Sequence, residues 1–311
     1  MNTRLRCGTA LALGLAAITI AAPALAQAPV DPTGRTIFDG LPAESRAHYE
    51  AAAIRLWEGV APDATGDAAA DVPVLYPVLP ATNGTPRGVV LVLPGGGYRY
   101  HSAAEAFPIA EHYRDAGMAA FVLRYRLAPY NPMTTALADA QRAVRLIRAR
   151  AADFNVEPQK IAAIGFSAGG HLAAHMSVRG ADGTASATDP VERESCRIQA
   201  ALLVYPGILA PGEMPRPDRS MASLLAAQGL HRLVDGQTPP AFLIVGYDDT
   251  RARYENALAY AARLHEAGVR FELHILGRGD HGAQVREERR ATWTELALDW
   301  LRARGIAPAA R

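Results

Sequence analysis

Three residue types recur in this chain in an order that could run nucleophilic acyl chemistry. Gly165-Phe166-Ser167-Ala168-Gly169 sits in "IAAIGFSAGGHLAAHM", after a short apolar run and before a helical one. A G-x-S-x-G turn between strand and helix projects its serine hydroxyl from the top of a sheet, and the helix behind it favours developing negative charge. A serine hydroxyl is a poor nucleophile until a base removes its proton, so a histidine is needed, with a carboxylate to fix its tautomer. "FLIVGYDDT" places Asp248 and Asp249 at the end of a later apolar run, and "HILGRGDHG" places His281 just past the next. That is the chain order serine, acid, histidine which a sheet-borne triad of this kind requires. Asp249 is the first choice of acid; Asp248 serves if the turn is one residue shorter.

A tetrahedral oxyanion needs backbone donors. "LPGGGYRYHS" (93–102) follows an apolar run, and no Gly-Lys-Ser/Thr follows it to make a phosphate loop. Its glycines allow close approach of N–H groups, which points to Gly96, Gly97 and the amide of Ala168 as the oxyanion hole. Tyr98, His101, Tyr125 and Tyr205 fall at the ends of expected strands and are candidate substrate-lining side chains, with aromatic packing as the other use of the tyrosines. His171 and His175 have metal-like i, i+4 spacing, yet no third ligand is suggested, so packing or a polar network is the expected role. No metal and no cofactor are expected.

The elements that must hold these residues alternate. Strands are expected at 88–93, 118–125, 160–165, 199–206, 240–246 and 270–276, with helical periods at 103–117, around 135–151, at 168–178, at 254–268 and at 291–305. On the 135–151 helix, Leu137, Ala140, Val144 and Ile147 form an apolar stripe, and Arg142, Arg145 and Arg148 read as a solvated face. Strands separated by helices at this spacing predict an α/β domain: a mostly parallel, doubly wound sheet with helices on both faces, from about Asp71 to the end. Residues 27–70 read as an N-terminal arm. Residues 207–239 read as an insertion near the C-terminal edge of the sheet, where such proteins bind ligands.

The chain has 311 residues, half hydrophobic and a fifth charged, ordinary for a globular protein. "MNTRLRC", the apolar stretch Ala10–Ala22 and "ALAQ" make residues 1–26 a secretory signal with cleavage after Ala26. That implies a periplasmic or secreted protein, with no membrane association after cleavage. Cleavage would leave Cys196 as the sole cysteine, so no internal disulfide is available. It would also remove Arg4 and Arg6, taking the 32 basic residues to 30 against 31 acidic, which gives no field for nucleic acid.

With these motifs the chain resembles the α/β-hydrolase superfamily, and in it the carbohydrate-esterase and acetyl-xylan-esterase-like (esterase/lipase) group. "LWEGVAP" (56–62) is similar to that group's Trp-Gly-Ala-Pro segment, and "LPGGGYRYHS" to its Pro-Gly-Gly-Gly-Tyr loop. "FVLRYRLAP" (121–129), "GFSAGGHLAA", "PPAFLIVGYDDTRARYENALAYAARL" and "GRGDHG" continue the match through most of the chain. The resemblance implies Ser167, Asp249 and His281 as triad, and Gly96, Gly97 and Ala168 as oxyanion donors. It also implies a serine ester hydrolase acting on short acyl, above all acetyl, esters, with sugars such as acetylated xylan as the alcohol. The partners are then small-molecule or oligosaccharide esters. Other carboxylesterases remain as alternatives, as does, less favoured, a binding module that kept the fold. A peptidase would need a substrate-gating domain for which the chain leaves no room.

Overall fold

The computed structural model describes residues 34–81, 84–210, 212–213 and 229–309. The expected signal segment, the start of the arm and residues 211 and 214–228 of the 207–239 insertion lie outside them. One eight-stranded sheet runs through the described residues. Its strands are β1 (Ile54–Arg55), β2 (Val74–Val78), β3 (Arg87–Leu93), β4 (Ala119–Arg124), β5 (Val156–Phe166), β6 (Ala200–Val204), β7 (Ala241–Gly246) and β8 (Phe271–Leu276), in the order β1-β2-β4-β3-β5-β6-β7-β8. Neighbours from β4 to β8 pair in parallel, and β2 runs antiparallel both to β1 and to β4.

Every residue of β4, β6 and β7 is buried, as are the last six of β3 and of β5. Strands buried through both side-chain directions need a layer on each face. The helices α2 (Phe107–Asp115), α3 (Leu137–Ala149), α5 (Ala168–Val178), α6 (Glu255–Glu266) and α7 (Glu287–Arg302) supply it, with α4 (Ala151–Phe154) a single turn after α3. The sheet is thus the mostly parallel, helix-covered α/β arrangement that the alternation predicts. β1 covers only the first residues of β2, and Pro77 lies beyond its reach, where a missing N–H costs no ladder bond.

Part of the 27–70 segment is woven into this domain. α1 (Ala43–Ala51) follows a turn at 37–40, and Ile37, Phe38, Tyr49 and Leu56 are buried. Tyr49 stacks on Phe107 of α2 with ring centroids 4.3 Å apart, and Phe38 stacks on the same ring at 5.2 Å. The Tyr49 hydroxyl donates to Glu111 on α2 at 2.7 Å. Sequence periodicity could not show this, because the contacts are made by isolated aromatics and a two-residue strand.

The arginines of α3 correct the expectation of a solvated face. Arg142 and Arg148 are buried. Arg142 donates to the Leu56 carbonyl at 2.8 Å and pairs with Glu192 and Asp189 at 2.7 and 2.6 Å. Arg148 donates to the carbonyls of Pro158 and Arg197, both at 2.9 Å, and to that of Ser195. The connection between α5 and β6 folds across this face, and its outward carbonyls need donors. Among the described residues no helix is long and apolar enough to cross a membrane.

Candidate active site

The sheet order reverses at β3: the chain steps from β3 to β4 on one side and later returns to β5 on the other. A crevice at the carboxyl ends of β3 and β5 follows from this reversal. "LPGGGY" leaves β3 there, and Ser167 leaves β5.

Ser167 has φ 53° and ψ −115° and caps α5. A non-glycine residue at positive φ is strained, and here the neighbours enforce it. A Cβ at Gly165 would stand 2.0 Å from the Gly169 carbonyl oxygen, and one at Gly169 would stand 2.0 Å from that of Leu93. Only glycine fits on either side, so the motif follows from the sharpness of the turn. The Ser167 amide donates to the Val204 carbonyl at 3.0 Å, tying the turn to β6.

β8 ends at Leu276, and the following loop turns through Gly279 and Gly282, both at positive φ, to present His281. His281 Nε2 lies 2.8 Å from Ser167 Oγ, and His281 Nδ1 lies 2.7 Å from Asp249 Oδ2. Asp249 is buried, and its other oxygen accepts from the amides of Arg251 and Ala252 at 2.9 and 2.8 Å. A carboxylate only accepts, so Nδ1 carries the imidazole proton and the Nε2 lone pair faces the serine hydroxyl. Asp248 is exposed and, among the described residues, accepts only from the Gly279 amide, at 3.4 Å. Of the two aspartates, Asp249 is therefore the one that meets the imidazole.

The glycine loop keeps its shape through its own backbone. The Gly96 carbonyl accepts from the amides of Arg99 and Tyr100, and Gly96 and Gly97 have φ of 122° and 63°. Among the described residues neither the Gly96 nor the Gly97 amide has an acceptor. Ala168 is the first residue of α5, where an amide has no intrahelical acceptor.

The aromatic candidates divide. Tyr98 and Tyr205 are fully buried, which corrects their expected place as substrate-lining side chains. The Tyr98 hydroxyl lies 2.7 Å from His171 Nδ1 and so pins the glycine loop to α5. Tyr205 packs against His281 in an edge-type arrangement, ring centroids 4.8 Å apart, and its hydroxyl donates to Glu105 at 2.8 Å. Tyr125 is buried too, donating to the Pro94 carbonyl at 2.5 Å. Each has a polar tip with an internal partner, the usual condition for burying tyrosine. His101 packs on Tyr125 and, with Arg99, Arg124 and Tyr130, lines a cavity of about 200 Å³ beside the glycine loop.

Glu105, which sequence reasoning passed over, accepts from the Gly95 amide at 2.7 Å as well as from Tyr205. Its only signal is an acid three residues after the loop, in a stretch that reads as ordinary helix surface. Burial pushes its carboxyl up, against the pull of Tyr205, Gly95 and His281.

His101, His171 and His175 are buried, and burial lowers them to about 3, about 3 and about 4. Arg124 beside His101, His175 beside His171, and Arg179 beside His175 push the same way. The unfolded chain takes up these protons as pH falls below about 6.5, while the folded chain refuses them until about 4 to 3. Their stabilisation is therefore complete above about pH 6.5 and is lost as pH falls toward 4. Thermal melting across pH 7 to 4 should show the midpoint falling, with a slope of up to about 1.4 kcal/mol per pH unit for each histidine. His175→Gln should flatten the curve. Among the described residues no group of three or more His, Cys, Asp or Glu could hold a metal ion.

The BD-FAE family model matches residues 76–209 and the prolyl oligopeptidase family model residues 205–304. The crystal structure of an acetyl ester-xyloside bifunctional hydrolase from Caldicellulosiruptor lactoaceticus is 33% identical, with TM-score 0.75, covering 82% of this chain and 97% of that one. An acetylxylan esterase of Xylanibacter ruminicola is 30% identical over 63% of this chain and 41% of its own length. Endo-1,4-beta-xylanase B of Butyrivibrio fibrisolvens is 31% identical over 64% of this chain and 33% of its own. The chain thus spans between a third and about two fifths of these two curated relatives.

Proposed function

We propose that this chain, which belongs to the α/β-hydrolase superfamily and within it to the carbohydrate-esterase-like group, is a serine ester hydrolase for short acyl esters, acetyl esters of carbohydrates foremost. The observation that carries the reading is the continuous chain Ser167 Oγ, His281 Nε2, His281 Nδ1, Asp249 Oδ2, with contacts of 2.8 and 2.7 Å, at a strained turn beside the glycine loop. Ser167 Oγ attacks the acyl carbonyl as His281 takes its proton. The oxyanion is held by the amides of Gly96, Gly97 and Ala168, and each donor contributes roughly 3 kcal/mol to the transition state. His281 then protonates the departing alcohol, leaving an acyl-Ser167 ester. A water that gives its proton to His281 releases the acid, and the serine is restored.

The acetyl and carbohydrate preferences draw support from the acetylxylan esterase and the acetyl ester-xyloside hydrolase to which the chain is similar. The 1–26 segment, read as a cleaved export signal, would place the enzyme in the periplasm or the medium, where xylan fragments are met.

The test is hydrolysis of p-nitrophenyl acetate and longer p-nitrophenyl esters, with acetate release from acetylated xylan measured on the same protein. Acetyl turnover ahead of longer chains, with acetate released from the polymer, is expected. Activity on aryl acetates with none on xylan would leave a general carboxylesterase. No ester turnover at all would overturn the reading. A proline-containing peptide p-nitroanilide belongs in the panel, because the prolyl oligopeptidase model matches the segment bearing Asp249 and His281.

A further inference from the structure

We propose that Glu105 is a positioning residue of this site, whose buried carboxylate fixes the glycine loop and the Tyr205 ring and sets a second negative charge facing His281. The inference rests on the hydrolase reading above. Glu105 ends a short 3-10 turn, Ala103–Glu105, and is 6% exposed. Among the described residues no arginine or lysine forms an ion pair with it. A buried carboxylate without a cation is costly unless donors converge on it. Here they do: the Gly95 amide reaches one oxygen at 2.7 Å and the Tyr205 hydroxyl reaches the other at 2.8 Å. Donors at both oxygens oppose the upward push of burial and favour the ionised form.

The carboxylate is wedged where displacement would matter. A Cβ at Gly95 would lie 2.7 Å from Glu105 Oε2, 2.5 Å from the Phe166 carbonyl oxygen and 3.0 Å from Ser167 Cβ. Gly95 directly precedes the two amides assigned to the oxyanion, so its anchor sets their distance from Ser167. At its other oxygen Glu105 holds Tyr205, whose ring packs against His281. The groups facing His281 are then Asp249, Ser167, Tyr205 and Glu105; those facing Glu105 are Tyr205, Tyr125, Ser102 and His281. With only the Tyr205 ring between them, a charge on Glu105 would favour the imidazolium that forms as the serine attacks, adding to the effect of Asp249.

Glu105→Gln separates charge from position. Its amide oxygen can still accept from Gly95 while its NH2 group faces the Tyr205 hydroxyl, so the loop stays and the charge goes. The acid limb of its kcat/KM profile on p-nitrophenyl acetate should move to lower pH by roughly one unit. Glu105→Ala, which removes the anchor as well, should lower kcat roughly a hundredfold with KM within a few-fold. An unmoved acid limb in a folded Glu105→Gln protein overturns the charge, and wild-type kcat in a folded Glu105→Ala protein overturns the anchoring. If Glu105→Ala does not fold, the Gln variant still decides, since a spacer would not move a pH profile. Should the wild type hydrolyse no ester, the function reading fails by itself. The charge is then read from the His281 imidazole resonance, assigned by its loss in His281→Asn. A lower titration midpoint in Glu105→Gln than in wild type upholds the facing charge, and equal midpoints overturn it.

Discussion

Ser167→Ala should lower kcat on p-nitrophenyl acetate by roughly 10⁴- to 10⁶-fold, about 5 to 8 kcal/mol of transition-state stabilisation. The size follows from the loss of the covalent path: without Oγ there is no acyl-enzyme, and only the loop amides remain to act on a water attack. The fold should not register the change. Among the described residues the Ser167 side chain makes one hydrogen bond, to His281, and alanine keeps the Cβ that the turn already accommodates. A melting temperature within a few degrees of wild type, beside the collapse of turnover, separates loss of chemistry from loss of structure. The histidine gives a second arm. His281→Ala alone and the Ser167→Ala, His281→Ala pair should each cost about as much as the serine change, because the two act as one unit. Additive losses would mean that His281 works independently of Ser167. Retained activity in Ser167→Ala would remove the serine from the chemistry altogether.

What the sequence disclosed and what it withheld divide along physical lines. The parallel strands are short continuous apolar runs bounded by turn residues, and β3, β5, β6 and β7 fall within a few residues of their expected places. The turn at Ser167 was legible because its geometry tolerates so few residues: the 2.0 Å approaches at Gly165 and Gly169 are written into the composition of the motif. Partners that meet through space were not legible. Tyr98 and Tyr205 fall at the ends of expected strands, which suggests that they line the substrate. Their hydroxyls instead reach inward, to His171 and Glu105, partners 73 and 100 positions away. Arg142 and Arg148 misled for the same reason, since polarity on one helix stripe says nothing of a later segment laid across it. The choice between Asp248 and Asp249 needed the turn itself, because consecutive residues there point to opposite sides.

That choice makes the sharpest remaining prediction. Asp249→Asn should lower kcat roughly 10⁴-fold while the protein keeps its fold. The mechanism is local and can be followed atom by atom. One carboxylate oxygen of Asp249 is held by the amides of Arg251 and Ala252, and both of those are donors. An asparagine must therefore offer them its carbonyl oxygen, which turns its NH2 group toward His281 Nδ1. Nδ1 can then only accept, the imidazole proton moves to Nε2, and the nitrogen that should take the Ser167 proton is already occupied. The imidazolium also loses its closest negative charge. Asp248→Asn is the matched control, since Asp248 is exposed and, among the described residues, accepts only from the Gly279 amide; its kcat should stay within a few-fold of wild type. Steady-state kinetics of the two variants on p-nitrophenyl acetate decide the matter. If Asp248→Asn is the crippled one, the loop after β7 adopts a different turn in the working enzyme. If neither change matters, His281 does not depend on a carboxylate for its tautomer.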